Sequence, residues 1–151
     1  MMVDARDVAG RQAFHPLDIG LLLARFPVGL LFFLAGVGKL KGGVGNFVEH
    51  ADKAIPSFLP LALGVAYLHA VPFAEVLVGL SIMLGIFTRI AGLISSLMLI
   101  SFMIAVTGIH PSGREPLQYN IVLLGISLCL MLVGPGRYSA DAMLPERSKK
   151  Q

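Results

Sequence analysis

The amino-acid sequence predicts an all-α membrane protein, a bundle of four transmembrane helices with a short interfacial helix in the first loop. The 151-residue chain is 56 % hydrophobic and only 14 % charged, whereas a soluble domain carries about 25 % charged residues. Four apolar segments each approach the roughly 17–25 residues that cross the hydrocarbon core of a bilayer. Apolar residues run through them without period-two alternation, which excludes a transmembrane β-barrel.

The four predicted spans cover about 19–38, 64–87, 90–107 and 117–133, which together make a transmembrane domain over 19–133. The polar segments 1–18 and 134–151 lie outside it. In the loop 39–58, Phe47, Ala51, Ala54 and Phe58 recur at helical spacing, and this spacing predicts the interfacial helix. The turn at 88–89 is very short, so the second and third spans are expected to be antiparallel neighbours.

The basic residues predict the orientation of the bundle. Four spans place both termini on one side, which carries seven Lys and Arg residues against four on the other side. By the positive-inside rule, the N-terminal segment and the C-terminal tail are therefore expected in the cytoplasm.

Composition also narrows the classes of function. The net charge is only +3 and the basic residues are scattered, so no nucleic-acid interface is expected. The single cysteine, Cys129, can form neither an internal disulfide nor a dithiol. No pair of residues has the spacing of metal ligands, so no metal site is predicted. The sequence contains no cofactor-binding fingerprint.

Arg25 and Glu75 are the two charged residues predicted to lie deep inside spans. Charges at this depth usually face the bundle interior and pair with one another, so the sequence predicts a buried Arg25–Glu75 bridge between adjacent antiparallel helices. Three interpretations remain open. The pair fixes helix register, it forms a polar pocket for a ligand head group or protons, or Arg25 extends to the membrane surface instead.

Three further polar residues are candidates for a supporting role. His69 has the chemistry for a redox or proton-transfer role, although a simple interfacial position is the favoured interpretation. Gln118 and Asn120, near the start of the fourth span, either line a pocket or cap the helix. In the first span Arg25, Gly29 and Gly36 share a face, as do Glu75 and Gly79 in the second, which predicts close helix packing.

Three stretches between Leu17 and Asp141 together resemble the DoxX family of small bacterial membrane proteins. The first stretch resembles the family's first helix, the second its second helix and turn, and the third its C-terminal signature. The stretches are Arg25…Gly29-Leu30-Leu31-Phe32…Gly36…Lys39-Leu40, Glu75…Gly79…Leu84-Gly85…Thr88-Arg89 and Gly134-Pro135-Gly136-Arg137-Tyr138-Ser139…Asp141.

The resemblance implies a four-helix protein of the bacterial inner membrane with a link to quinone, sulfur or thiol redox chemistry. By similarity, Arg25, Lys39, Glu75 and Arg89 match polar positions that recur in the family. Many members carry an acidic residue at the start of the fourth helix. This chain has Gln118 and Asn120 there, which puts a proton-transfer role at that position in doubt.

Three functions are compatible with these features. The first is a membrane subunit of an oxidoreductase system that handles a quinone or a small sulfur or thiol compound with a soluble redox partner. The second is a membrane scaffold or cargo-binding protein without enzymatic activity. The third is a small transporter, for which four helices leave little room unless the protein forms a homo-oligomer.

Overall fold

A computed structural model describes residues 16–109 and 114–143. These residues fold into four long and two short α-helices. The helices are α1 (Pro16–Gly42), α2 (Val44–Ala51), α3 (Leu61–Leu84), α4 (Thr88–Ile109), α5 (Arg114–Val133) and α6 (Ala140–Met143), with a 3₁₀ turn at Asp52–Ala54.

The predicted four-helix membrane bundle is confirmed. The helix α1, the helix α3 and the segment Thr88–Ala105 of α4 are each long and apolar enough to cross a bilayer, and α5 contains the shorter apolar stretch Gln118–Val133. The short helix predicted after the first span is present as α2. Its residue Val48 is buried, whereas Glu49 and His50 are exposed, so one side of α2 packs on the bundle.

Glycine and proline residues set the ends of the helices. Gly43 has a φ of 89°, a conformation that residues other than glycine rarely adopt. It ends α1 at Gly42, four residues beyond the predicted end at residue 38. Pro60 precedes the first residue of α3. Gly85, with a φ of 70°, ends α3 and donates its N–H to the carbonyl of Ile82. Because α1 extends to Gly42, Lys39 belongs to this helix and not to the following loop.

The helices α1 and α3 approach each other at their backbones. A side chain built on Gly29 would lie 2.7 Å from the carbonyl oxygen of Gly79, and one built on Gly36 would lie 2.7 Å from that of Pro72. Residue numbers rise along α1 as they fall along α3, so the two helices are antiparallel. The glycine faces predicted from the sequence are therefore confirmed as the contact surface of this pair.

The helices α4 and α5 form a second close pair. A side chain on Gly92 of α4 would lie 2.9 Å from the backbone nitrogen of Met131 and 3.0 Å from the carbonyl oxygen of Ser127. The two pairs, α1 with α3 and α4 with α5, meet less extensively than the helices within each pair. We call the boundary between the two pairs the seam. Buried Leu99 and Leu130 belong, with Phe32 and Ile82, to the apolar core of the bundle.

The substitution Gly29→Ala is expected to lower the free energy of unfolding by about 1–3 kcal/mol, because the added methyl group forces two backbones apart. Unfolding in mixed micelles, followed by circular dichroism, measures this change. Gly20→Ala and Gly38→Ala in the same helix are matched controls, since no atom lies within 4 Å of a methyl group at either position. Equal stability of all three variants would contradict the close approach.

Candidate functional site

Glu75 of α3 is buried in the bundle and forms an ion pair with Lys39 of α1. Its side chain is 2 % exposed. The Nζ atom of Lys39 donates to Oε1 at 2.5 Å and to Oε2 at 2.7 Å. Both carboxylate oxygens are therefore satisfied by one ammonium group, at a depth where an unpaired charge is unfavourable by at least about 2.5 kcal/mol.

Two aromatic rings flank the ammonium group of Lys39. Its Nζ atom lies 5.3 Å from the ring centre of Phe47 in α2 and 5.8 Å from that of Phe102 in α4. Both distances are within the range in which a cation is attracted to the face of a ring. The Lys39 side chain remains 25 % exposed, so the site contains a cation that a small molecule can reach between aromatic groups.

The predicted Arg25–Glu75 bridge is wrong, because the two residues lie at different levels along the helices. With Gly29 opposite Gly79, Arg25 reaches the level of Gly85, ten residues from Glu75 or about 15 Å along the helix. Lys39 lies almost one turn beyond Gly36 in α1, and its side chain is close enough to Glu75 to form the ion pair.

Arg25 binds the segment that follows α5 instead. It is 1 % exposed, so its side chain is enclosed by the protein. Its Nη1 atom donates to the carbonyl oxygen of Pro135 at 2.6 Å, and its Nη2 atom donates to that of Tyr138 at 2.5 Å. The arginine is thus an anchor for residues 134–143, which we call the C-terminal segment.

Two carboxylates complete the attachment of the C-terminal segment. Asp141 accepts hydrogen bonds from the backbone N–H groups of Phe87 and Thr88, at 2.9 and 3.1 Å, at the start of α4. Asp18 accepts the N–H of Arg137 at 3.0 Å. The sequence assigned neither carboxylate a role. The available signals were an acidic residue in the first turn of an apolar helix for Asp18 and the stretch Gly134…Asp141 that resembles the family's C-terminal signature for Asp141.

The remaining predicted supporting residues lie outside the ion pair. Arg89 is exposed, and its Nε atom would lie 3.0 Å from a side chain on Gly134. His69 is exposed and its Nδ1 atom lies 2.9 Å from the carbonyl oxygen of Val65. Gln118 is exposed and Asn120 is half-buried. Of the five supporting candidates, the structure brings only Lys39 into contact with Glu75.

An apolar groove opens beside this site, and no pattern in the sequence predicted it. It has a volume of about 260 Å³ and is lined by the loop around 54–59, by Gly64, Tyr67 and Leu68 of α3, and by Ser101, Ile104 and Ala105 of α4. The hydroxyl groups of Tyr67 and Ser101 are hydrogen-bonded to each other across the seam. Ser101 adjoins Phe102, so the groove and the Lys39–Glu75 pair are neighbours.

The DoxX family profile matches residues 20–109, which contain both members of the ion pair. The chain belongs to the DoxX family. It is 29 % identical over 133 residues to "Inner membrane protein YqjF" of Escherichia coli K12, covering 86 % of this chain and 95 % of that protein. It is 32 % identical over 114 residues to "Putative oxidoreductase CatD" of Bacillus subtilis 168, covering 75 % of this chain and 79 % of that protein. No solved structure matches the chain.

The substitution Arg25→Leu is expected to release the C-terminal segment, because two charge-assisted hydrogen bonds are lost, and to lower the free energy of unfolding by about 3 kcal/mol. Maleimide labelling of Ser139→Cys in a Cys129→Ser background reports the release, since Ser139 is buried. Arg137→Gln is the control, because the side chain of Arg137 is exposed and only its backbone N–H binds Asp18. Equal labelling rates in the two variants would contradict the anchoring role.

The substitution Lys39→Met is expected to lower the free energy of unfolding by about 3–5 kcal/mol, because it leaves the Glu75 carboxylate buried without a cation. The double variant Lys39→Met with Glu75→Leu is expected to recover most of this loss, since no buried charge remains. Unfolding titrations of both single variants and the double variant measure the coupling. Additive effects would show that the two side chains act independently.

Proposed function

We propose that this DoxX-family protein is the membrane subunit of an oxidoreductase system that handles a quinone or a small sulfur or thiol compound. We place it in the bacterial inner membrane with both termini in the cytoplasm. The observation that carries the proposal is the Lys39–Glu75 pair, an ammonium and a carboxylate held inside the membrane-spanning region between two aromatic rings.

The chemistry of the pair suits a reducible substrate. An ammonium group has three donors, of which two bind Glu75. The third donor is free to bind the carbonyl oxygen of a quinone or the anionic oxygen or sulfur of a small sulfur compound. The rings of Phe47 and Phe102 provide flat apolar surfaces for a ring of the substrate.

The pair can also hold and move a proton. Reduction of a quinone consumes protons as well as electrons, and Lys39 and Glu75 exchange a proton across hydrogen bonds of 2.5 and 2.7 Å. General acid–base groups placed at the reacting oxygen accelerate such steps by roughly 10²–10⁴-fold. The chain has a single cysteine and no dithiol of its own, so we assign electron delivery to a soluble redox partner.

The relatives support both parts of the proposal. The name "Putative oxidoreductase CatD" gives a redox class for a protein that aligns with 75 % of this chain. The name "Inner membrane protein YqjF" gives a location for one that aligns with 86 %. Three long apolar helices and the apolar stretch of α5 agree with a multi-pass protein.

Reduction of decyl-ubiquinone by membrane vesicles that contain the protein tests the proposal, with thiosulfate or a small thiol as the electron source and a soluble cell extract added to supply the redox partner. The variants Lys39→Met and Glu75→Gln are expected to lower the rate by at least about tenfold, because each removes a proton-carrying group from the site. Binding of the quinone by purified protein in lipid nanodiscs, followed by native mass spectrometry, separates loss of binding from loss of turnover.

Lys41→Met and Glu49→Gln are the matched controls, since both side chains are exposed near the same end of α1. Each control is expected to retain the wild-type rate. A protein that binds no quinone and supports no electron transfer in the vesicles would contradict the proposal and favour a scaffold. Proton or solute flux that depends on Glu75 in liposomes without redox substrates would favour a transporter.

A further inference from the structure

We infer that the groove between α3 and α4 is a binding site for a lipophilic phenol, whose hydroxyl group donates a hydrogen bond to Tyr67. The occupant enters from the lipid phase. The groove is bounded by the loop 54–59 and by the adjoining parts of the apolar helices α3 and α4, and Phe58 and Ile104 in its lining are exposed by 79 % and 46 %.

The hydrogen bonds in the groove determine which polar group it can recognise. The hydroxyl group of Ser101 donates to the carbonyl oxygen of Met98 at 2.7 Å. A serine hydroxyl has only one hydrogen to donate. In the hydrogen bond between Tyr67 and Ser101, the donor is therefore Tyr67.

This direction leaves Tyr67 as an acceptor. Its only hydroxyl hydrogen is directed at Ser101, whereas its oxygen retains lone pairs, and the residue is 40 % exposed. A ligand that carries a hydroxyl donor completes this chain of hydrogen bonds. A ketone or an ether of the same shape cannot do so unless the Tyr67–Ser101 bond breaks.

The size and lining of the groove define the rest of the ligand. A volume of about 260 Å³ is slightly below the roughly 300–1,000 Å³ of sites for drug-sized molecules, so it suits a single ring whose alkyl tail extends into the lipid. Apart from the two hydroxyl groups, the lining is almost entirely apolar, with Phe58, Leu59, Leu68 and Ile104 among its members.

The groove also adjoins the ion pair. Ser101 precedes Phe102, whose ring lies 5.8 Å from the Nζ atom of Lys39. A quinol is a lipophilic phenol, so the reduced form of a quinone substrate fits the groove. This identification with a quinol rests on the proposed function, whereas the preference for a hydroxyl donor rests only on the contacts of Tyr67 and Ser101.

Photo-crosslinking of the full-length protein in lipid nanodiscs tests the inference. The probe is a para-alkylphenol with a diazirine in its alkyl chain, and its O-methyl ether is the control because it cannot donate a hydrogen bond. We expect peptide mapping to locate the crosslinks at the groove, with about three- to tenfold more labelling by the hydroxyl probe, as one hydrogen bond provides. Competition with decyl-ubiquinol and with an alkyl monophenol distinguishes a quinol from other phenols.

Two variants of the groove, each with a matched control, sharpen the result. Ala105→Phe fills the groove and is expected to abolish the labelling, whereas Ala66→Phe makes the same change at an exposed position of α3 outside the lining and is expected to retain it. Tyr67→Phe keeps the ring and is expected to make the two probes equal, whereas Tyr119→Phe, at an exposed position of α5, is expected to keep the preference.

Equal labelling by the two probes in the wild-type protein would overturn the inference and indicate that the groove holds an acyl chain. Crosslinks spread over all lipid-facing residues would also overturn it. The outcome is independent of the proposed function. Labelling without quinone reduction would support the phenol site and contradict the proposed redox role. Quinone reduction without labelling would support the redox role and contradict the phenol site.

Discussion

The close approach of the α1 and α3 backbones is the constraint on which the rest of the structure depends. Lipid chains are as apolar as leucine, so helices in a membrane associate through packing and polar contacts and not through the hydrophobic effect. Gly29, Gly36 and Gly79 permit that packing, and any side chain there would overlap the opposing backbone. The register they impose determines which polar residues of α1 and α3 lie at the same level.

This register explains why two buried charges have different kinds of partner. Lys39 reaches the level of Glu75, and the pair is satisfied within the bundle. Arg25 lies beyond the last turn of α3, where no carboxylate of that helix is available, and it binds the carbonyl groups of Pro135 and Tyr138 instead. The C-terminal segment therefore supplies the polar groups that make burial of the guanidinium tolerable.

The sequence was sufficient to predict the helices, their glycine faces and the burial of Arg25 and Glu75, because these depend on hydropathy and on the period of one helix. It was not sufficient to predict which charges pair. Pairing depends on how far one helix is displaced along its axis relative to the other. This displacement is determined by the glycine contacts and by the fold of the chain between α1 and α3. The binding of Arg25 to residues more than 100 positions away, and the meeting of Tyr67 with Ser101, are likewise visible only in three dimensions.

The same packing argument indicates where a ligand can bind. Within the two helix pairs the backbones approach each other closely at Gly29, Gly79 and Gly92. The seam is packed less tightly, and it contains the Lys39–Phe102 contact, the Tyr67–Ser101 hydrogen bond and the groove. The groove thus lies at the boundary between two closely packed pairs, one of which carries the Lys39–Glu75 bridge at its own interface. The ligand that we propose for the groove would therefore bind there without separating the backbones that meet at Gly29, Gly79 and Gly92.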